Sequence, residues 1–209
     1  MPGYRPYCPY TILPSPGGAW TAPDLALAAR LVRESGTRGD RVAVLYSNEQ
    51  PPFPTPATAR YLVSVLDELG YRAVLRVVQN ASAYWGVLGN SRDRASAGFF
   101  SWYQDYPAPA DFINPLLTCG SFLPDNQNNQ NDAEFCDPRI DAQAGHATSE
   151  PGDPAAAQAR WAAIDRELTD QAPWVSLYNP RYLTLLSARV GNYQFHPYWS
   201  VLIDQLWVR

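Results

Sequence analysis

The alternation of amphipathic helices with apolar strands in the first part of the chain limits the possible folds more than any other feature. Leucine, alanine and valine residues recur at helical spacing between Thr21, a good N-cap, and Gly36. The same spacing returns over residues 58–69, and Gly70 follows where a helix commonly ends in a left-handed residue. Runs of strand-forming residues lie at 41–47 and 71–78. This order predicts an α/β fold, a mixed sheet flanked by helices.

The rest of the chain continues the pattern with shorter elements. Helical spacing predicts further helices over residues 82–88, 112–117, 138–147 and 154–171. In the last of these, the apolar residues Trp161, Ile164 and Leu168 share one face. Apolar runs predict strands, as parts of the same sheet, over residues 97–102, 174–178 and 182–186.

An aromatic stretch from Gly98 to Phe112 contains the predicted binding site. Its strand is followed by Asp105 and then by two prolines, which cannot continue a ladder or a helix. A carboxylate at a strand end beside the indole of Trp102 is a common way to orient a ligand in an apolar cleft. The alternative is that Trp102 is a core residue and Asp105 a turn residue that binds its own backbone.

Three cysteines are an odd number, so at least one of them is free or pairs outside the chain. Cys119 and Cys136 flank a polar, asparagine-rich loop, which makes them the natural disulfide pair and leaves Cys8 alone. A zinc site is disfavoured, because His146 and His196 are the only histidines and neither lies at ligand spacing.

Charge and motifs exclude several classes of function. The net charge is −4 and lysine does not occur, which argues against nucleic acid or an anionic membrane as a partner. The sequence has no phosphate-binding glycine loop and no common nucleophile or metal motif, so we expect no cofactor. Asp105 and Asp111 are the one pair that could act as acid and base in a hydrolase, a distant alternative. The first residues lack the order of a signal peptide.

The segment Trp102-Tyr103-Gln104-Asp105-Tyr106-Pro107, followed by Phe112-Ile113-Asn114-Pro115-Leu116, resembles a known family. It is similar to the W-x-x-D-Y-x-x-P segment of extracytoplasmic solute-binding proteins of the oligopeptide/dipeptide ABC-transporter family, family 5. Leu69-Gly70 and Asp170-Gln171-Ala172-Pro173 also match its pattern. Members are clamshells of two lobes, so the resemblance implies lobe II together with the C-terminal tail.

The resemblance also implies the organisation and the function of the chain. Residues 1–22 would be an extended lead-in from a missing lobe I, residues 23–188 lobe II, and residues 189–209 a tail that returns to lobe I. The implied protein is not an enzyme. It binds peptides outside the cytoplasm, needs no cofactor and delivers its ligand to a membrane permease. The alternative is a ligand-sensing module of the same fold, fused to a bacterial regulatory domain.

The ligand-binding residues that the resemblance implies are Ser101, Trp102, Tyr103, Asp105 and Tyr106. In the family the tryptophan walls the cleft, and the acid receives the α-amino group of the peptide. The backbone of the strand, here Ser101 to Tyr103, pairs with the peptide as with an added strand. An ammonium group held by a partly buried carboxylate forms a strong, charge-assisted hydrogen bond, and main-chain pairing tolerates varied side chains.

Overall fold

A computed structural model describes residues 7–49, 55–149, 153–179, 183–196 and 198–209. Its helices are α1 (Leu25–Ser35), α2 (Pro56–Leu69), α3 (Ala81–Gly89), α4 (Ala110–Leu116), α5 (Pro138–Ser149) and α6 (Pro154–Gln171). Its strands are β1 (Arg41–Ser47), β2 (Arg72–Val78), β3 (Val190–Gly191), β4 (Phe195–His196), β5 (Ser200–Val201) and β6 (Trp207–Val208). No helix within these ranges is long and apolar enough to cross a membrane.

The first half of the described chain is the α/β layer that the sequence predicts. Strands β1 and β2 pair in parallel, and α2 connects them. Helix α2 ends at Gly70, whose φ of 102° requires a residue without a side chain, and the chain then enters β2. Helix α1 ends at Gly36 as predicted, but Asp24 caps its first turn in place of Thr21. Thr21 instead bonds to Thr11 in the preceding segment.

Two hydrophobic cores result, and they are built from different elements. The first core, called here the sheet core, places α2 on β1 and contains Val44, Tyr46, Ala59 and Phe99. The second, called the helical core, unites α4, α5 and α6. Its wholly or almost wholly buried side chains include Leu116, Ile140 and Ile164. The predicted face of α6 is confirmed, because Trp161, Ile164 and Leu168 all point into this core.

Two predicted strand regions are wrong. Residues 97–102 form only one isolated bridge, between Ala97 and Val44 of β1. Residues 174–178 and 183–186 form no strand, and Tyr182 lies outside the described residues. A strand needs a hydrogen-bonded neighbour, and the described residues provide none for this second region. The described strands therefore make three two-stranded sheets in place of one larger sheet.

The two ends of the described chain differ in how they are held. At the start, the hydroxyls of Tyr7 and Tyr10 each donate to the carboxylate of Asp170 on α6, both at 3.0 Å. Residues 7–22 contain no helix or strand. At the other end, β3 pairs with β6 and β4 pairs with β5, both antiparallel. The large side chains of Trp199 and Ile203 in this tail are exposed.

Candidate ligand-binding site

The segment over residues 97–102 crosses from one core to the other. Ala97 still pairs with β1: its carbonyl oxygen accepts the N–H of Leu45 at 2.8 Å, and its own N–H donates to Ala43 at 3.2 Å. Beyond it, Phe99 packs into the sheet core, whereas Phe100 and Trp102 pack against the helical core. Alternate side chains therefore tie one short segment to two separate cores.

The hydroxyl of Tyr84 on α3 takes the place of a neighbouring strand. It donates to the carbonyl oxygen of Phe99 at 2.8 Å and accepts the Phe99 N–H at 2.6 Å. A side chain on Gly98 would collide with Leu88 and crowd this hydroxyl, so the close approach requires glycine. Burial raises the pKa of the Tyr84 phenol, which therefore stays neutral and can both donate and accept. The predicted strand stops because a side chain already satisfies its backbone.

A cavity of about 310 Å³ opens beside this segment. One wall is aromatic: the rings of Phe100 and Trp102 stack at 6.0 Å, and the ring of Trp85 meets Phe100 edge-on at 5.7 Å. Ser101 lies between the two stacked residues and also lines the cavity. The rest of the lining consists of polar residues from the loop between the two cysteines, namely Gln127, Asn128, Asn129, Gln130 and Asp132.

The loop is closed at its base by the predicted disulfide between Cys119 and Cys136. Asn131 holds it from the inside, because this fully buried side chain donates to the carbonyl oxygens of Thr118 at 3.0 Å and Phe135 at 2.7 Å. Its own amide oxygen accepts the N–H of Phe135 at 3.0 Å. The asparagine-rich loop is therefore held by an internal hydrogen-bond network, which fixes one wall of the cavity. Cys8 forms no disulfide with any described residue.

Two polar groups of the cavity lack partners. The carboxyl of Asp132 lies against Gly89 at the end of α3 and forms no hydrogen bond or ion pair with a described residue. Burial raises the pKa of Asp132 to about 7. The indole nitrogen of Trp102 is also buried, and no acceptor lies within reach among the described residues. The unpaired indole donor and the unpaired carboxyl are both costly, and the carboxyl lies where a ligand in the cavity can reach it.

The predicted site residues fall into two groups. Ser101 and Trp102 line the cavity, whereas Tyr103, Asp105 and Tyr106 lie outside it and are exposed. The expectation of an acid at a strand end is therefore wrong, because Asp105 sits in an irregular, exposed turn.

Asp111 holds this turn in place. Its carboxylate is only 2% exposed and accepts the backbone N–H of Asp105 at 2.6 Å. Asp111 is thus an acceptor for the backbone of the turn, which is the structural role that the sequence had offered as an alternative for Asp105. The turn fixes where the carboxylate of Asp105 emerges from the surface.

Sequence reasoning missed Trp85, Phe100 and Asp132 as members of a site. Trp85 is in a helix, and Asp132 follows a run of amides in which an acid looks like any solvated loop residue. Only the folded contact between α3 and the loop brings them together. Within the described ranges, no cluster of histidine, cysteine or acidic side chains could hold a metal ion.

Comparison with known proteins gives sequence relatives and structural neighbours, although no protein-family model matches the chain. Di/tripeptide-binding protein 4 of Pseudomonas aeruginosa is 26% identical over 177 residues, which are 81% of this chain and 31% of that protein. The chain therefore spans about a third of the length of this curated relative. Probable di/tripeptide-binding protein 5 of the same organism is 28% identical over 155 residues, which are 69% of this chain and 26% of that protein.

Solved structures agree on the fold. Clavulanic acid biosynthesis oligopeptide binding protein 2 superposes with a TM-score of 0.78 at 20% identity, over 94% of this chain and 35% of that one. A dipeptide binding protein from Pseudoalteromonas, solved with Met-Leu, gives a TM-score of 0.68 at 19% identity, over 90% of this chain and 36% of that one. The predicted fold, a single lobe of a periplasmic-binding-protein-like clamshell, is confirmed, and so is the resemblance to peptide ABC-transporter solute-binding proteins.

Proposed function

Starting from this similarity to peptide-binding proteins of ABC transporters, we propose that the chain is the lobe of a solute-binding receptor that captures peptides for import. The observation that carries the proposal is the free backbone at the aromatic cavity. Ser101 and Trp102 form no main-chain hydrogen bond with any described residue, although both flanks of their segment are anchored. An extended peptide can pair with such a backbone as an added strand.

The exposed residues beyond the cavity fit the same function. The carboxylate of Asp105 projects from a turn that Asp111 fixes, and it can accept the α-amino group of a peptide. Tyr103 and Tyr106 are 57% and 46% exposed, which leaves aromatic surface for the ligand beside that acid. Main-chain pairing and recognition of the amino terminus are independent of side-chain identity, as a receptor for many peptides requires.

The complete receptor would bind its ligand between this lobe and a second one. The curated relative is about three times as long as the matched part, so a further lobe is consistent with its size. Several large apolar side chains of the described chain are strongly exposed and would pack against that lobe, among them Leu183, Leu185 and Trp199. We place the protein outside the cytoplasm, with an ABC-transporter permease as its membrane partner and no catalytic role.

The test is the substitution Asp105→Asn in the complete receptor, with affinity measured by calorimetry. Lobe closure would bury the ion pair between Asp105 and the peptide. Loss of this pair should weaken the binding of peptides with a free amino terminus by about 2 to 5 kcal/mol. N-acetylated peptides should lose far less binding affinity. Glu68→Gln, at an exposed acid on α2, is the matched control and should change neither affinity. Equal affinity of Asp105→Asn and wild type for free peptides would show that Asp105 is only a turn residue.

A further inference from the structure

The cavity beside Trp102 has a chemical character that peptide capture by the backbone does not use. It combines aromatic faces, amide side chains and one acid, and that acid has no partner among the described residues. We propose that this cavity is a side-chain subsite selective for a lysine or arginine residue of the bound peptide, with Asp132 as its acceptor. This inference rests on the proposed function and names the class of peptide that the site prefers.

The carboxyl of Asp132 indicates a cationic occupant. No arginine or other described cation compensates it: the four ion pairs of the described chain involve other acids. A half-buried carboxylate without a counter-ion is partly desolvated and unfavourable, and a ligand cation relieves this penalty. The nearby aromatic rings of Phe100 and Trp102 favour the same ligand, because a cation is attracted to the face of an aromatic ring.

The free backbone of Ser101 and Trp102 indicates that the cation belongs to a peptide. Neither residue forms a main-chain hydrogen bond with a described residue, and both line the cavity. Ammonium and guanidinium groups are donors only, so a cation alone cannot accept the N–H groups of this backbone. A lysine or arginine residue within a peptide can pair with the backbone and reach Asp132 at once, whereas a free amine or metal ion satisfies only the acid.

The size of the cavity sets how much of the ligand it holds. At about 310 Å³ it is at the lower end of the roughly 300–1,000 Å³ that is usual for small-molecule sites. It suits one long side chain rather than a whole peptide, so the remaining residues of the ligand would lie along the exposed turn near Asp105. The amide side chains of Gln127 and Gln130 line the same wall and can order water around the charged group.

The experiment compares matched peptides on the full 209-residue chain at pH 8, where the acid is ionised. Ala-Lys-Ala is titrated against Ala-norleucine-Ala, which keeps the aliphatic stem and lacks the charge, and binding is followed by NMR through the Trp102 indole signal. We expect at least a tenfold preference for the lysine peptide. In Asp132→Asn this preference should fall below twofold, with the norleucine affinity unchanged. The control Glu134→Gln removes an exposed acid two residues away and should keep the full preference.

A second arm separates this inference from the proposed function. Nα-acetyl-lysine methylamide and its norleucine analogue occupy the cavity without needing the rest of the peptide site. Binding of the lysine compound that depends on Asp132, without peptide binding, would support the subsite and count against peptide capture. Peptide binding with equal affinity for lysine and norleucine, or a preference that survives in Asp132→Asn, would overturn the subsite and leave peptide capture standing. Absence of binding by both cationic probes would also overturn it.

Discussion

Two apolar regions were predicted to be strands, and the contrast between them explains how this chain is built. Residues 97–102 lie between two cores and have almost no strand structure. The hydroxyl of Tyr84 makes the hydrogen bonds to the Phe99 backbone that a neighbouring strand would otherwise make. Residues 174–178 and 183–186 also lack strand structure, but Leu183 and Leu185 are 92% and 96% exposed. The first region is anchored at Ala97 and Phe99 by contacts inside the chain. In the second, Trp174 packs against the helical core, but residues 175–179 and 183–186 are exposed.

If the proposed function holds, this difference corresponds to two roles. The anchored region can present Ser101, Trp102 and the turn of Asp105 to a ligand in a fixed geometry. The exposed region offers a large apolar surface, which in a clamshell receptor would contact the second lobe. Changes in the anchored region should therefore alter the stability of the chain, and changes at the exposed residues 175–179 and 183–186 should not.

Tyr84→Phe should have a large effect, because it removes the link that anchors residues 97–102. The buried N–H and C=O groups of Phe99 would both lose their partner, at a cost of about 3 kcal/mol in the free energy of unfolding. Urea denaturation measures this loss. Tyr61→Phe is the matched control, since Tyr61 is 62% exposed and should change stability by less than about 0.5 kcal/mol. Equal stability of the two variants would show that the hydroxyl of Tyr84 does not anchor the segment.

The double substitution Cys119→Ser with Cys136→Ser should come second. These residues are 17 positions apart, and opening a loop of this size costs roughly 2 to 3 kcal/mol in the chain-entropy model. The signals of Trp85 and Trp102 should also change, because the loop is one wall of their cavity. Cys8→Ser is the control and should leave both stability and signals unchanged. Three alkylatable thiols in the unreduced wild-type chain would contradict the disulfide.

Asp132→Asn should stabilise the ligand-free chain, but only at higher pH. The pKa of Asp132 is about 7 in the folded chain, above its ordinary value of 3.8, so the folded state holds its proton more tightly. Wild-type stability therefore falls as pH rises from about 4 to 7. The substitution removes this loss. It should raise the free energy of unfolding by about 1 to 2 kcal/mol at pH 8, and should leave it unchanged below pH 4.

Thermal unfolding of wild type and Asp132→Asn across this pH range measures the difference. A stabilisation that is the same at pH 4 and pH 8 would mean that the ionised form of Asp132 is not what costs stability. Glu134→Gln, at an exposed acid of the same loop, provides the baseline for the loss of one negative charge.

Leu185→Ala should have the smallest effect on the chain by itself, less than about 0.5 kcal/mol, because its side chain is almost fully exposed. The same substitution at Leu116, which is wholly buried in the helical core, should cost about 2 to 5 kcal/mol. Chemical denaturation of both variants sharpens the contrast between the two regions. A large loss at Leu185 would mean that the exposed region packs within this chain after all.

The helices were the most predictable part of the fold, because their signals are local. Gly36 and Gly70 end α1 and α2 as predicted, and α6 has the predicted bounds. The cap of α1 was misplaced, since a nearby threonine and an aspartate offer the same chemistry and only tertiary contacts select between them.

The strands and the cavity were less predictable, because they depend on contacts distant in sequence. Nothing local distinguishes a strand over residues 97–102 from a segment satisfied by a tyrosine 15 residues earlier. Of the motif residues, Trp102 lines the cavity and Asp105 does not, and the position of Asp132 in the cavity requires the packing of the loop against α3. Asparagine-rich sequence suggested a solvated loop, whereas Asn131 is entirely buried.

The most direct test of peptide capture by the free backbone is to map which residues of the chain a dipeptide contacts. NMR titration of the 15N-labelled chain with alanyl-alanine should shift the amide signals of residues 101–105 and the indole signal of Trp102, and should leave those of α5 and α6 unchanged. N-acetylation of the dipeptide should reduce the shift at Asp105 most. Saturable binding that leaves residues 101–105 unperturbed would contradict this proposal, because the free backbone of Ser101 and Trp102 would then have no part in capturing the ligand.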